Sequence, residues 1–523
     1  MMRQYVSSGV VALMLAVPAA GQIEFGGTPV GRTAQRALLP GPPVVEFPEV
    51  DAAALMAEDA QRIADGIKGP YRFGYNHMTD LDMDRDGAWT TLPGGDRVWR
   101  IALHCPGAYS INFEFHDYVV PQGARVFVYN EQGDRLGGFT AESAAGHHQL
   151  GVTQIAGDRI TIEYDEPAAV SGQGHLQIGQ VTHAYRDILG QLKGLFDSGS
   201  CNNNVICPEG DPWREQIRSV AMITIQGQGI CTGQLLNNCA QDDTPYFLTA
   251  NHCVQGAGPV NNWVFRFKWE SPTCTPTQNA PTNKTVSGST LLVNSGGSDV
   301  ALLELNSNVP ASYEPFFSGW DKSGSTPTST TCIHHPSGDI KKISFDNNAP
   351  TQGTFSGAAC WHILAWDDGT TEPGSSGSGL WDQDHRLIGQ LYGGQASCSF
   401  NQNDYFGRFS SSWSLLQPYL GSCGDYLDGQ PSITGVAETS APTTMTIAPN
   451  PTRGRMTITL PRNALDGAHL LLHDALGQLV SDRTLRAGER IIDLDMSGRP
   501  EGMYFLELRG TGERIVQRVA VQH

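Results

Sequence analysis

A mainly β protein built from several domains is what this chain predicts, on three observations. Its apolar residues fall in short alternating or β-rich runs separated by turn residues, the mark of antiparallel strands. Strands never alternate repeatedly with long helices, which argues against a parallel α/β sheet. Ten of the eleven cysteines lie between Cys201 and Cys423, so one segment differs in chemistry from its flanks. The 523 residues suit roughly three domains at about 150 residues each. A formal charge of −19 argues against a nucleic-acid partner, which needs a basic surface.

Residues 1–21 read as a secretory signal peptide: Arg3, an apolar run from Val10 to Val17, then small residues suited to cleavage near Gly21. That run is too short to span about 30 Å of hydrocarbon. No later stretch is long enough either, so no membrane span is expected after signal removal. The expected location is secreted. In 22–193, DAAALMAEDAQRIADGI (51–67) carries apolar residues at helical spacing. The runs VWRIALHCPGAYSINFEF, ARVFVYNEQGDRLGGF and DRITIEYDEP then suggest an antiparallel β-sandwich.

The cysteine-bearing segment, 194–428, holds SVAMITI, PYFLTA, NWVFRFKW, VALLELN and RLIGQLYGG, which suit two barrels or a sandwich. An even number of cysteines in an exported segment suggests disulfides. With no CxxC pair and no HExxH, neither a metal nor another cofactor is expected. A polar linker, 429–443, leads to a small all-β module, 444–523, containing MTIAPNPTRGRMTITLP, AHLLLHDALGQLV and EGMYFLELRGTGERIVQRVAV.

Three stretches in 194–428 carry chemistry together. YFLTANHC delivers His252 into a turn, SDVALLELN sets Asp299 before a buried strand, and TEPGSSGSGLWD offers Ser375, Ser376 and Ser378. By composition the last is a flexible linker; flanked by LAWDDG and the strand-like LIGQLYGG, it reads instead as a tight catalytic loop. Acyl transfer by serine needs a base, an acid group to hold the imidazole, and N–H groups aimed at the oxyanion. Gly374 and Gly377 flank Ser376 and allow the N–H groups of Gly374 and Ser376 to converge, which selects Ser376 as nucleophile. The chain order His, Asp, Ser is that of two-barrel proteases, unlike the orders of subtilisins or α/β-hydrolases.

The segment resembles a bacterial lysyl endopeptidase, a branch of the trypsin-like serine proteases. The stretches that carry the resemblance are SGSCNNNVICPEGD, CTGQLLNN, YFLTANHC, SDVALLEL, IHHPSG, TEPGSSGSG and GQLYGG. It implies a chymotrypsin-like double β-barrel and an endopeptidase cleaving after lysine, with His252 as general base, Asp299 as its orienting partner and Ser376 as nucleophile. In trypsin the pocket's acidic residue lies six positions before the serine; here that is Thr370, which cannot bind a cation. The resemblance points instead to Asp404 in DYFGR, with Tyr392, Gly393 and Gly394 beside the substrate. Relatives can have histidine at Tyr392, and a tryptophan they place upstream of the serine loop has no clear counterpart.

The same resemblance pairs Cys201 with Cys398, Cys207 with Cys274, and Cys231 with Cys253. Cys239, Cys332, Cys360 and Cys423 admit three pairings; we expect 332–360, leaving 239–423. Residues 22–193 resemble the propeptide of these enzymes, and cleavage after Lys193 would free Gly194. Only seven lysines stand against 27 arginines, so a lysine at this boundary is notable. Ser375 stands where trypsin uses an aspartate to capture its new N-terminus, so activation is expected to remove a covering domain. The tail resembles a type IX secretion C-terminal sorting domain, addressed to the outer-membrane secretion machinery. No lysine follows Lys342, so another protease would have to trim that tail. The rivals are cleavage after arginine or both basic residues, a catalytically dead adhesin on a protease scaffold, and an esterase.

Overall fold

The computed structural model describes residues 25–67, 69–144, 146–190, 198–275, 280–432, 446–460, 469–474, 478–486, 489, 491–510 and 513–522. The signal segment, Lys193 with Gly194, and most of the linker therefore lie outside the described residues. The chain divides into two compact units, Met1–Val436 and Ala437–His523.

The first unit opens with the expected helix, Ala52–Ala64, which the Asp51 side chain caps by accepting the N–H of Ala54. A sandwich follows. One sheet runs Val44–Glu46, Arg97–His104, Arg159–Glu166, Arg125–Tyr129, Arg135–Phe139, with Ala88–Thr91 alongside the second of these. The other runs Gly74–Asp82, His175–Ala184, Ser110–Val119, Leu150–Ala156. Trp99, Ile101, Phe113, Phe115, Val126, Ile162 and Tyr164 meet between them as one apolar core.

Two antiparallel sheets then form the double β-barrel. The first follows the order Thr285–Ser287, Val264–Arg266, Val220–Ile225, Gly229–Leu235, Tyr246–Ala250, Val300–Leu305, Ser289–Ser295. The second runs Asn203–Asn204, Lys342–Asp346, Thr330–His334, Gly379–Asp382, Leu387–Gly394, Gln402–Arg408, Ala358–Ala365, Thr351–Phe355. An apolar cluster joins strands of both: Leu248 and Leu302 from the first, Ile333, Trp381 and Leu387 from the second.

Helix Phe409–Leu420 seals that cluster, burying Phe409, Ser412, Leu416 and Leu420, a stripe at three- and four-residue spacing. Phe409→Ala would cost about 3–5 kcal/mol, the usual loss for a buried aromatic. Residues of the sandwich segment reach the first barrel: Tyr71–Arg72 pairs with Gly229 and Ile230 at the edge of strand Gly229–Leu235.

The second unit is a small β-sandwich. A three-stranded sheet (Thr446–Ala448, Arg455–Thr459, Ile491–Asp495) and a four-stranded one (Leu479–Thr484, His469–His473, Gly502–Gly510, Glu513–Val521) enclose Ile458, Leu470, Leu472, Ile492 and Leu506. Among the described residues no helix is long and apolar enough to cross a membrane.

Candidate active site

Strand register brings the first two groups together. Tyr246–Ala250 pairs antiparallel with Val300–Leu305, Ala250 facing Val300, so the residues just past these ends, His252 and Asp299, lie side by side. His252 stands on the one-turn helix Asn251–Val254. Asp299 adopts a positive φ of 53°, an uncommon conformation for a side-chain-bearing residue, and turns its carboxylate back over that helix. Its Oδ2 lies 2.7 Å from His252 Nδ1 and its Oδ1 accepts the His252 N–H at 2.9 Å. Both residues are buried. The carboxylate therefore fixes both ring and backbone of the histidine, leaving Nε2 for proton transfer.

The serine loop distinguishes its three hydroxyls. Ser375 is fully buried with Oγ 2.7 Å from His334 Nδ1, and Ser378 is fully buried against Cys332 Sγ at 3.2 Å. Ser376 alone is half-exposed, and it lines one cleft with His252. Gly377 has φ 84°, and a Cβ there would lie 2.2 Å from Thr249 Oγ1 and 2.4 Å from the Thr232 carbonyl, so the tight approach demands glycine. The Thr232 N–H donates to the Ser376 carbonyl at 2.8 Å. Next to it the Cys231–Cys253 disulfide ties this strand to the His252 helix. Among the described residues, the N–H groups of Gly374 and Ser376 donate to no backbone oxygen, whereas those of Ser375, Gly377 and Ser378 all do.

Asp404 lies in the wall of the same cleft, fully buried. Its Oδ2 accepts from Trp366 Nε1 at 2.8 Å and from Thr371 Oγ1 at 2.6 Å. It pairs across the sheet with Gly394, where a Cβ would come within 2.2 Å of Asp404 Oδ1 and of the Asn403 carbonyl, so this close approach demands glycine. Thr370 is buried, with its carbonyl accepting the Ser344 hydroxyl. Trp366, in the LAWDDG stretch before the serine loop, holds Asp404 but carried no sequence signal for that role. Only the cross-strand pairing of Ile363 with Asp404, three residues from Trp366, brings it there.

Tyr392 stacks on His252, ring centroids 5.6 Å apart and planes 25° from parallel, and Phe355 meets Tyr392 edge-on at 5.2 Å. Neither contact has a local sequence signal. The cleft is also lined from the N-terminal side by Ile63, Gly66, Ile67 and Gly69, which follow and include the end of the first helix.

The disulfides are Cys201–Cys398, Cys207–Cys274, Cys231–Cys253 and Cys239–Cys423. The expected 332–360 bridge is corrected: both are buried free thiols. Their strands, Thr330–His334 and Ala358–Ala365, have three others between them in the sheet order, beyond the reach of a disulfide's Cβ spacing. The expectation rested on cysteine parity and missed that single buried cysteines serve as small apolar core residues.

Residues 195–407 match the model of the lysyl endopeptidase C-terminal domain, and residues 446–522 that of the secretion system C-terminal sorting domain. The lysyl endopeptidase of Pseudomonas aeruginosa is 28% identical over 362 residues, covering 64% of this chain and 77% of that one. Among solved structures, a Glu endopeptidase in complex with MPD is 17% identical, covering 43% of this chain and 97% of that one, with TM-score 0.29. The HtrA-type protease AlgW with tripeptide is 14% identical, covering 58% and 93%, with TM-score 0.28. The C-terminal sorting domain marks a secreted protein. Residues 195–407 are thus similar to the lysyl endopeptidase C-terminal domain, residues 446–522 to a secretion sorting domain, and the chain is a serine endopeptidase of the trypsin-like kind.

Proposed function

We propose that this enzyme cleaves peptide bonds on the carboxyl side of lysine, with His252, Asp299 and Ser376 as its triad. The observation that carries this reading is a single cleft lined by His252, Ser376 and Asp404, with Asp299 bonded to His252 from behind. Ser376 Oγ attacks the scissile carbonyl carbon as its proton passes to His252 Nε2. The carbonyl electron pair moves onto oxygen, where the N–H groups of Gly374 and Ser376 receive it. Collapse expels the amine, which takes the proton from His252. Water then repeats the sequence on the acyl-enzyme and releases a product ending in lysine.

Asp404 suits an ammonium better than a guanidinium. A bidentate fork would compete for Oδ2 with Trp366 and Thr371, whereas a point charge is satisfied by one oxygen. The test is mass-spectrometric mapping of a digested denatured protein, together with fluorophosphonate labelling. Lysine at the cleaved position and loss of label in Ser376→Ala are expected; cuts spread over arginine would overturn the specificity.

The reading extends to maturation. Residues 1–21 act as signal and 22–193 as a propeptide covering the 194–428 enzyme, with 429–443 linking it to the 444–523 sorting domain. Support comes from Ile63, Gly66, Ile67 and Gly69 lining the substrate cleft. That segment is anchored by Asp59, which bonds Arg72, Arg186 at 2.9 Å and the Tyr185 hydroxyl at 2.7 Å. The sorting domain would engage the outer-membrane secretion machinery.

A further inference from the structure

His334 ends strand Thr330–His334 in the second barrel and is fully buried, outside the groups that react with substrate. Its ring joins two elements. Nδ1 lies 2.7 Å from Ser375 Oγ and Nε2 lies 3.2 Å from Ser344 Oγ. The Ser344 hydroxyl donates to the Thr370 carbonyl at 2.7 Å. A carbonyl can only accept, so the direction of the whole chain follows: Ser344 O–H to Thr370, Nε2–H to Ser344, and Ser375 O–H to Nδ1. Burial, with the charge of Lys342 nearby, pushes the imidazole down to about 3, so Nδ1 stays an acceptor at working pH.

Ser375 is thereby held from all sides. Its Oγ also accepts the Glu372 N–H at 3.2 Å, its own N–H donates to the Glu372 carbonyl at 3.0 Å, and its carbonyl accepts the Ser378 N–H at 3.0 Å. The preceding Gly374 carbonyl accepts Thr232 Oγ1 at 3.0 Å, and that oxygen accepts the His335 N–H at 3.1 Å. Gly374 and Ser376, the two residues whose N–H groups face the developing oxyanion, are the immediate neighbours of this clamped serine.

We propose that His334 is a positioning residue for catalysis: through Ser375 it sets the two oxyanion N–H groups, so that the loop keeps its working shape without an N-terminal ion pair. The inference rests on the reading of Ser376 as nucleophile. A misaimed donor weakens the transition state and leaves ground-state binding at Asp404 intact, which separates this role from a merely structural one.

The test compares His334→Ala, Ser375→Ala and their double variant, matured from the full chain, on one lysyl peptide substrate. Each single variant is expected to lower kcat by about 10²-fold, the effect of losing one oxyanion donor, with KM within about twofold. A peptide aldehyde ending in lysinal should lose affinity by a similar factor, while the matching peptide amide binds as before. The double variant should be no worse than either single one, because both break the same chain. Wild-type kcat in either variant, a KM rise that accounts for the loss, or multiplicative losses in the double variant would overturn the proposal. If His334→Ala does not fold, Ser375→Ala, which removes one oxygen, decides alone. Fluorophosphonate labelling keeps the two readings apart. Label retained in Ser376→Ala defeats the nucleophile assignment; label on Ser376 with unchanged kcat in Ser375→Ala defeats only the role of His334.

Discussion

Tyr392 lies over the imidazole of His252, with ring centroids 5.6 Å apart, while Asp299 holds the same ring by its Nδ1 edge. Tyr392 itself is half-buried and braced by Phe355. A stacked aromatic contact is worth about 0.5–1.5 kcal/mol, or roughly 2- to 12-fold in rate where it orients the base. Tyr392→Ala should lower kcat/KM by that factor, and Tyr392→Phe should stay within about twofold of wild type. Steady-state kinetics decide it: equal losses in both variants would mean that the hydroxyl, not the ring, matters.

Asp404 gives a sharper division between binding and chemistry. Asp404→Asn keeps the shape of the pocket and its contacts with Trp366 and Thr371 but removes the charge. Truncating one partner of a buried charged pair costs about 2–5 kcal/mol, so kcat/KM for lysyl substrates should fall by roughly 30- to 4,000-fold. Fluorophosphonate labelling of Ser376, which needs no lysine, should proceed within about threefold of the normal rate. Loss of labelling in parallel would place Asp404 in the folding of the site.

The thiols offer a check on the corrected pairing. Cys105, Cys332 and Cys360 are all buried and free, and burial pushes the Cys360 thiol up to about 11 and the Cys332 thiol higher still. A thiol reagent should therefore react slowly with the native full-length chain and titrate three groups after unfolding without reductant. A count of one after unfolding would restore the 332–360 bridge.

Residues 22–193 contain two lysines, Lys68 and Lys193, and each is followed by glycine. Gly69 and Ile67 line the cleft, and Lys68, between them in the chain, lies outside the described residues. A lysine-specific enzyme acting on full-length Ser376→Ala should produce new termini at Gly69 and Gly194, as read by mass spectrometry. The Lys68→Gln, Lys193→Gln chain should keep its N-terminal segment. New termini after arginine would favour the rival specificity.

The buried His334 also makes stability depend on pH. Its folded pKa is about 3 against about 6.5 for an ordinary imidazole, so the unfolded chain binds the extra proton. The stability from keeping this ring neutral is whole above about 6.5 and is lost as pH falls toward 3. The loss is of order 1.4 kcal/mol per pH unit, by the linkage of proton binding to unfolding. Denaturant midpoints measured from pH 6.5 to 4.5 should fall, and a folded His334→Gln should fall less steeply by about one proton. Parallel slopes would show that other groups carry the acid sensitivity.

Local patterns reached far in this chain. The helix expected over 51–67 forms as Ala52–Ala64 because its cap and apolar spacing lie within a few residues of each other. Helix Phe409–Leu420 has no clear helical signal because FSSSWSLLQPYL has four serines and Pro418 inside it; its stability comes from Phe409, Leu416 and Leu420 entering a core shared with strands far away in the chain.

The amino-acid sequence on its own determined the β architecture, the glycines that shape the loop around Ser376, and which short stretches carry an imidazole, a carboxylate and a hydroxyl. Each of these depends on contacts a few residues long. Only the tertiary structure decided that Cys332 and Cys360 stay apart, that Trp366 and Thr371 hold Asp404, that Tyr392 covers His252, and that His334 reaches Ser375. Those relations join residues from different strands, and strand register, which no single stretch encodes, decides which side chains meet.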